Sequence, residues 1–225
     1  MRVAALVAAS LLVAACSHAT DGRGTQPSTS ASTPPRATAA PSSKRPSPTS
    51  AVAPSAGAPI ADVIAWVEAG APVDAAGYHR ATRDGVVTDL GTDIAFTVAN
   101  VRCMTDTKHT GGALACLVGL AHPPPRPATV YGQWQGGWVD FDGASLQVGS
   151  AHADPGPFAR GDGADLPVGK SLSFGDYRCR AGQVGVYCVN YAHRSGAALA
   201  ATGIEPFGCL QSVPAPEGVG QKFSC

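Results

Sequence analysis

The chain has 225 residues, with 16 basic and 16 acidic side chains, no formal net charge, and 27 glycines, 19 prolines and seven cysteines. That balance lacks the basic stripe that recognition of nucleic acid requires, so no nucleic-acid partner is expected. No uncharged apolar run reaches the about 20 residues that a membrane-spanning helix needs.

The amino-terminal stretch pairs Arg2 with an apolar segment from Val3 to Ala15, the pattern of an export signal over residues 1–15. It ends in Val13-Ala14-Ala15-Cys16, an aliphatic residue, two small ones and a cysteine. This is the lipobox pattern. The small side chains admit a signal peptidase, and the Cys16 thiol can take a thioether-linked diacylglycerol. The partner this implies is the membrane, held through amino-terminal acyl chains on the extracytoplasmic face. Two or more chains anchor stably because each buried methylene contributes about 0.8 kcal/mol.

Residues 16–58 are dominated by Ser, Thr, Ala, Pro and Gly, a composition that cannot bury enough apolar surface to offset its ordering entropy. They read as a disordered tether, with a mean span of about 35 to 40 Å as a random coil. Arg23, Arg36, Lys44 and Arg45 against Asp21 leave the tether at +3, suited to anionic headgroups. From Pro59 onward, eleven basic and fifteen acidic residues leave −4.

Residues 59–225 have the length of one domain. IADVIAWVEAG places Ile60, Val63, Ile64 and Val67 at helical spacing and ends in Gly70, which predicts one short helix. Beyond it, Gly, Pro, Asp and Asn recur about every eight to twelve residues, the rhythm of short strands. The expected fold is mainly β: a small disulfide-stapled antiparallel sheet or barrel-like domain built around two cysteine hairpins.

Those hairpins are VRCMTDTKHTGGALACLVGL and YRCRAGQVGVYCVNY. If Cys179 faces Cys188, strand alternation puts Tyr177, Cys179, Ala181, Val186 and Cys188 on one face. Arg178, Arg180, Tyr187, Val189 and Tyr191 take the other. Cys103 and Cys116 allow the same construction, with Val101, Leu114 and Val118 beside them. Directly opposed strand positions meet the separation a disulfide needs. Once Cys16 is set aside, six cysteines in an exported chain argue for three disulfides. Cys209 with Cys225 follows by exclusion. A metal site is the alternative, but no pair has zinc-ribbon spacing, and neither a metal nor a cofactor is expected.

Between the hairpins, YGQWQGGWVDF gathers Tyr131, Trp134, Trp138 and Phe141. Such clusters form core more often than ligand surfaces, although Trp134 and Trp138 are candidates for the latter. Asp140 and Asp142 alternate on the same strand, about 6.5 to 7 Å apart, which suits an inverting hydrolase or a shared cation. No run of further oxygen ligands follows them, so a solvated strand face is the plainer account. Arg160-Gly161-Asp162 spells an adhesion tripeptide and reads as a flexible, solvated turn. Gly169-Lys170-Ser171 resembles a phosphate loop only until Ala164 is found where that motif needs glycine. His79, His109, His122, His152 and His193 are scattered, and no Gly-x-Ser-x-Gly elbow is present.

The runs FTVANVRC, ACLV, LPVGKSLSFGDYRCRAGQVGVYCVNYAHRSG and GIEPFGCL resemble those of conserved exported lipoproteins of actinobacteria, mycobacteria in particular, whose function is unknown. The resemblance covers most of Trp66 to Cys209, with Val168 where the pattern often has tyrosine. It implies an extracytoplasmic compartment, a disulfide pattern and a β-rich fold, and it carries no activity. The expected function is therefore a membrane-anchored, non-catalytic domain that binds a component of the cell envelope or a partner protein on the outer face. The rivals are a wall-directed hydrolase using Asp140 or Asp142, and a structural surface protein. A cleft holding the Asp140–Asp142 strand, Trp138 and a histidine would favour the hydrolase.

Lipidation is directly testable. In detergent-phase partitioning with mass spectrometry of the amino-terminal peptide, the wild-type chain is expected in the detergent phase with acyl mass on Cys16. Cys16→Ser should lose the acyl mass, whether the chain is exported or retained by its uncleaved signal, and an unacylated wild-type chain in the aqueous phase would overturn lipidation.

Overall fold

A computed structural model describes residues 52–152 and 155–225. The export signal, Cys16 and most of the tether lie outside the described residues. Residues 53 and 58, assigned to the tether by composition, pack against the folded body as Ala53 and Ala58.

Helix α1 (Ile60–Glu68) buries Val63, Trp66 and Val67, with Ile60 and Ile64 half-buried beside them. The apolar spacing seen in the sequence is thus the docking face of the helix, widened by Trp66. The strands follow as β1 (Ala71–Pro72), β2 (Arg80–Arg83), β3 (Val86–Asp89), β4 (Ala95–Val98) and β5 (Val101–Thr105). A single-turn helix, α2 (Thr107–Thr110), leads to β6 (Leu114–Val118), β7 (Gln133–Phe141) and β8 (Ser145–His152). After a 3₁₀ turn at Gly156–Arg160 come β9 (Asp162–Asp165), β10 (Lys170–Phe174), β11 (Tyr177–Ala181), β12 (Gly185–Asn190), β13 (Ser195–Ala200) and β14 (Gly203–Phe207). The last two are β15 (Gln211–Val213) and β16 (Val219–Ser224).

These strands form two sheets. One has six strands in the order β1-β10-β11-β12-β13-β14, and the other has ten in the order β15-β16-β8-β7-β6-β5-β4-β9-β2-β3. Pairing is antiparallel except where β1 meets β10 and β4 meets β9. Of the sheet and barrel forms expected, the domain adopts stacked sheets. Alternation explains why: β11 and β12 turn Tyr177, Cys179, Ala181, Val186 and Cys188 inward, and β5, β6 and β7 turn Val101, Cys103, Leu114, Cys116, Val139 and Phe141 to meet them. The face assignments made from sequence for both hairpins hold.

Cys103 lies opposite Cys116 and Cys179 opposite Cys188, at Cα separations of 4.1 and 4.0 Å, and both pairs are disulfides inside this shared core. The third bridge joins Cys209 to Cys225 at 4.7 Å, with both residues exposed. The core is also crossed by a polar contact. Tyr177 Oη on the six-stranded sheet donates to the Phe141 carbonyl of the ten-stranded sheet at 2.9 Å, and burial pushes its phenol up to about 12.

Each sheet has a cover on its outer face. Helix α1 closes the six-stranded sheet over Val189, Ala198 and Phe207. The 3₁₀ turn closes the ten-stranded sheet, where Phe158 sits with Ala81, Leu90, Ala95, Met104, Ala115 and Trp138. Close backbone approach sets the glycines at this second cover. At Gly161, φ is 104° and an added Cβ would stand 2.3 Å from the Thr82 carbonyl oxygen, so no other residue fits.

The buried bridges should matter more than the exposed one. A short-loop disulfide contributes about 3 kcal/mol on chain-entropy grounds, and opening Cys179–Cys188 also disturbs packing against Tyr177 and Val186. Thermal melts of Cys179→Ala/Cys188→Ala and Cys209→Ala/Cys225→Ala should therefore show the larger loss for the first pair.

Candidate functional site

Strand β7 has two kinds of neighbour: Val139 and Phe141 point into the core, so Trp138 and Asp140 point to the outer face of the ten-stranded sheet. There they line a cleft of about 790 Å³ together with Asp106, His109, Asp142, Ser145, Gln147 and Arg160. Pro155, Gly156 and Pro157 of the 3₁₀ segment form one rim. Asp140 on β7 therefore lies in a concave site with Trp138 and a histidine, and Asp142, expected on the same strand, lies just beyond its end in the turn to β8.

The two carboxylates do different work. Asp140 is half-buried, directly opposite Ala115 on β6 and Gln147 on β8. Asp142 closes the β7–β8 turn. Its Oδ1 accepts from the Ala144 and Ser145 amides at 2.9 and 2.6 Å, and its Oδ2 accepts from Ser145 Oγ at 2.9 Å. These donors fix the carboxylate in an Asx turn.

That turn is clamped from the other sheet and by Cys225, which follows β16. Gly143 has φ +92 and lies where an added Cβ would strike the Asn190 amide at 2.5 Å. The Gly143 carbonyl accepts from Ser195 Oγ, and the Ala144 carbonyl accepts from the Cys225 amide at 2.9 Å.

The opposite wall is a network that sequence alone did not assemble. Asp106 caps α2, accepting from the His109 amide at 3.2 Å, and its Oδ2 lies 2.8 Å from His109 Nδ1 and 3.2 Å from Arg160 Nη2. Asp93 receives Thr105 Oγ1 at 3.0 Å and both the amide and hydroxyl of Thr107 at 2.8 Å, and Arg160 Nη1 stands 3.8 Å from its Oδ2. Both aspartates are buried. Burial pushes the Asp106 carboxyl up, but the His109 hydrogen bonds and the Arg160 charge outweigh it and hold the group below its ordinary value.

Arg160 therefore pins the 3₁₀ segment to the sheet. The adjoining Asp162 is also engaged, receiving Arg102 Nη1 at 2.8 Å. This corrects the reading of Arg160-Gly161-Asp162 as a flexible, solvated turn: Arg160 is tied to two buried carboxylates and Gly161 is buried against Thr82. Gly169-Lys170-Ser171, by contrast, is a turn that runs into β10.

The aromatic pair divides. Trp138 is 4% exposed and meets Phe158 edge-on, with centroids 5.3 Å apart, so it forms the floor and offers no open ring face. Trp134 donates Nε1–H to the Pro124 carbonyl at 3.1 Å and lies over Gly149, away from the cleft. The irregularity in β7 between Gln135 and Val139 separates them. A second cleft of about 540 Å³ shares Trp138 and Pro155 and adds Arg83, Arg102, Gln133 and Asp162.

Sequence reasoning missed Asp106, His109, Arg160 and Gln147 as site residues. Asp106-Thr-Lys-His109 carried a local signal, an aspartate at a helix cap with a side-chain donor three residues on. Arg160 had none, since Asp106 is 54 residues away. Among the described residues, no group of three or more His, Cys, Asp or Glu side chains is placed to hold a metal ion. No family model, curated protein or solved structure matches the chain.

The Asp106 network predicts a pH dependence. A carboxyl held below its unfolded value stabilises the fold at pH above the ordinary carboxylate range, and that contribution disappears as pH falls through its folded value. Asp106→Asn should cost about 1 to 3 kcal/mol at neutral pH. In urea melts the gap from wild type should narrow steadily below about pH 4.

Proposed function

We propose that this protein is an exported domain held to the membrane by a lipid on Cys16 and a flexible tether, and that its outer-sheet cleft binds a polyhydroxylated component of the cell envelope. The observation that carries this reading is the lining of the cleft. Acceptors on Asp140 and Asp142, donors on Arg160, and the mixed groups of Ser145, Gln147 and Thr110 converge beside an apolar rim of prolines. Hydroxyl-rich rings present alternating donors and acceptors at their edges and carbon-bound hydrogens on their faces, which is the complement of such a wall.

Binding without turnover is favoured because two of the three carboxylates lining the cleft are already engaged within the protein. Asp142 accepts three hydrogen bonds from its own turn, and Asp106 is committed to His109 and Arg160. Two-carboxylate glycoside cleavage needs one group protonated and one ionised across the scissile bond. Two observations favour hydrolysis instead: Asp140 and Asp142 share their cleft with Trp138 and His109, the grouping expected of a hydrolase, and His109 is oriented through Nδ1 by a buried aspartate, the arrangement that readies an imidazole as a general base.

Calorimetry with the purified full chain and soluble envelope polysaccharide fragments should give saturable binding. Gln147→Ala, which removes one donor–acceptor group without touching the Asp106 network, should weaken it about tenfold. Release of new reducing ends or free acyl groups, abolished in His109→Ala, would replace the binding reading with the hydrolytic one. The absence of both binding and turnover would discard the cleft as the functional site.

A further inference from the structure

A second concave site lies on the opposite side of the molecule, where the described chain enters the domain. Val52 and Ala53, the Val168–Gly169 turn and the β11–β12 turn at Gly182–Val184 surround a groove of about 450 Å³, with Trp66, Arg180 and Tyr187 on its wall. Its composition is unlike the rest of the surface. Val52, Val168 and Val184 are 75%, 54% and 68% exposed, three of the few large apolar side chains the domain shows to solvent, gathered at one place.

The wall carries unsatisfied donors. Trp66 Nε1 and Arg180 Nε are both buried and have no hydrogen-bond partner among the described residues. The Arg180 guanidinium stacks on the Trp66 indole at 3.9 Å from the ring centroid and donates Nη1–H to the Trp66 carbonyl, yet no carboxylate among the described residues pairs with it. Burial lowers its pKa. A half-buried cation without a counter-charge is costly, and an anionic ligand that reaches the exposed part of the guanidinium would relieve that cost. Apolar rim and cationic wall together describe an amphiphile.

We infer that this groove binds the carboxylate end of a long-chain fatty acid from the envelope. The carboxylate pairs with the exposed part of the Arg180 guanidinium, and the first methylenes lie along Val168 and Val184. An anionic head satisfies the guanidinium as the neutral amide or ester of a lipid anchor would not, which argues for a free acid over the acyl chains on Cys16. This site is independent of the outer-sheet cleft, and it stands or falls without it.

The test uses the full chain in membranes with a diazirine-bearing palmitic acid. On irradiation, the label is expected on peptides containing Val168 and Val184, displaced by palmitate and not by hexadecanol. Val184→Asp, on an exposed turn that the core does not use, should reduce labelling about tenfold with an unchanged melting temperature, and Arg180→Gln should do the same where it folds. Label spread evenly over the domain, or unaffected by Val184→Asp, would overturn the site. Equal competition by hexadecanol would overturn the carboxylate pairing. Labelling about tenfold stronger in Cys16→Ser than in the lipidated chain would show that the protein's own lipid fills the groove.

Discussion

Everything in this domain hangs on two cystines buried in the core that the stacked sheets share. Each joins directly opposed residues of neighbouring strands, and each is surrounded by inward-facing side chains of both sheets. Aliphatic side chains and the rings of Phe96, Phe141 and Tyr177 pack in the same core, and cross-strand pairing fixes the register of both hairpins. The alternation of every strand paired to them follows from that register, including the outward turn of Asp140 and Trp138 on β7.

That constraint explains why so much of the fold could be read from the residues. Arg-Cys on one strand and a cysteine on the next, joined by a polar turn, specify which positions face each other, and period-two alternation then assigns faces. Helix α1 was legible because its apolar spacing is local. Other elements were not. Strand β13 reads SGAALA, small residues with none of the branched or aromatic signature of a strand, and it is a strand because β12 and β14 pair with it on both sides. The extent of the larger sheet was equally hidden, since β9 joins β2 and β4 from far along the chain.

The candidate cleft shows the same division. Its carboxylate wall lies within one hairpin, and Asp140 and Asp142 could be singled out from sequence. Its other wall depends on Arg160 reaching Asp93 and Asp106 on distant strands, an arrangement without local trace. Trp134 and Trp138 looked like one aromatic surface because they are close in sequence. The irregular stretch of β7 between them sends one to the floor of the cleft and the other to Pro124.

The two sheets also differ in how far along the chain their strands are drawn. Five of the six strands of the smaller sheet run consecutively from Lys170 to Phe207, so its pairings close short loops at little entropic cost. The larger sheet must bring β16 back to β8 and β9 back to β4, and such distant closures are slow. The meander with its Cys179–Cys188 bridge is therefore the natural first structure, and the larger sheet condenses upon it. The turn at Asp142–Ser145 is fixed by Asn190, Ser195 and Cys225, so the outer cleft acquires its shape only in the last steps of assembly. A chain caught before those steps would carry a formed core and an unformed binding surface.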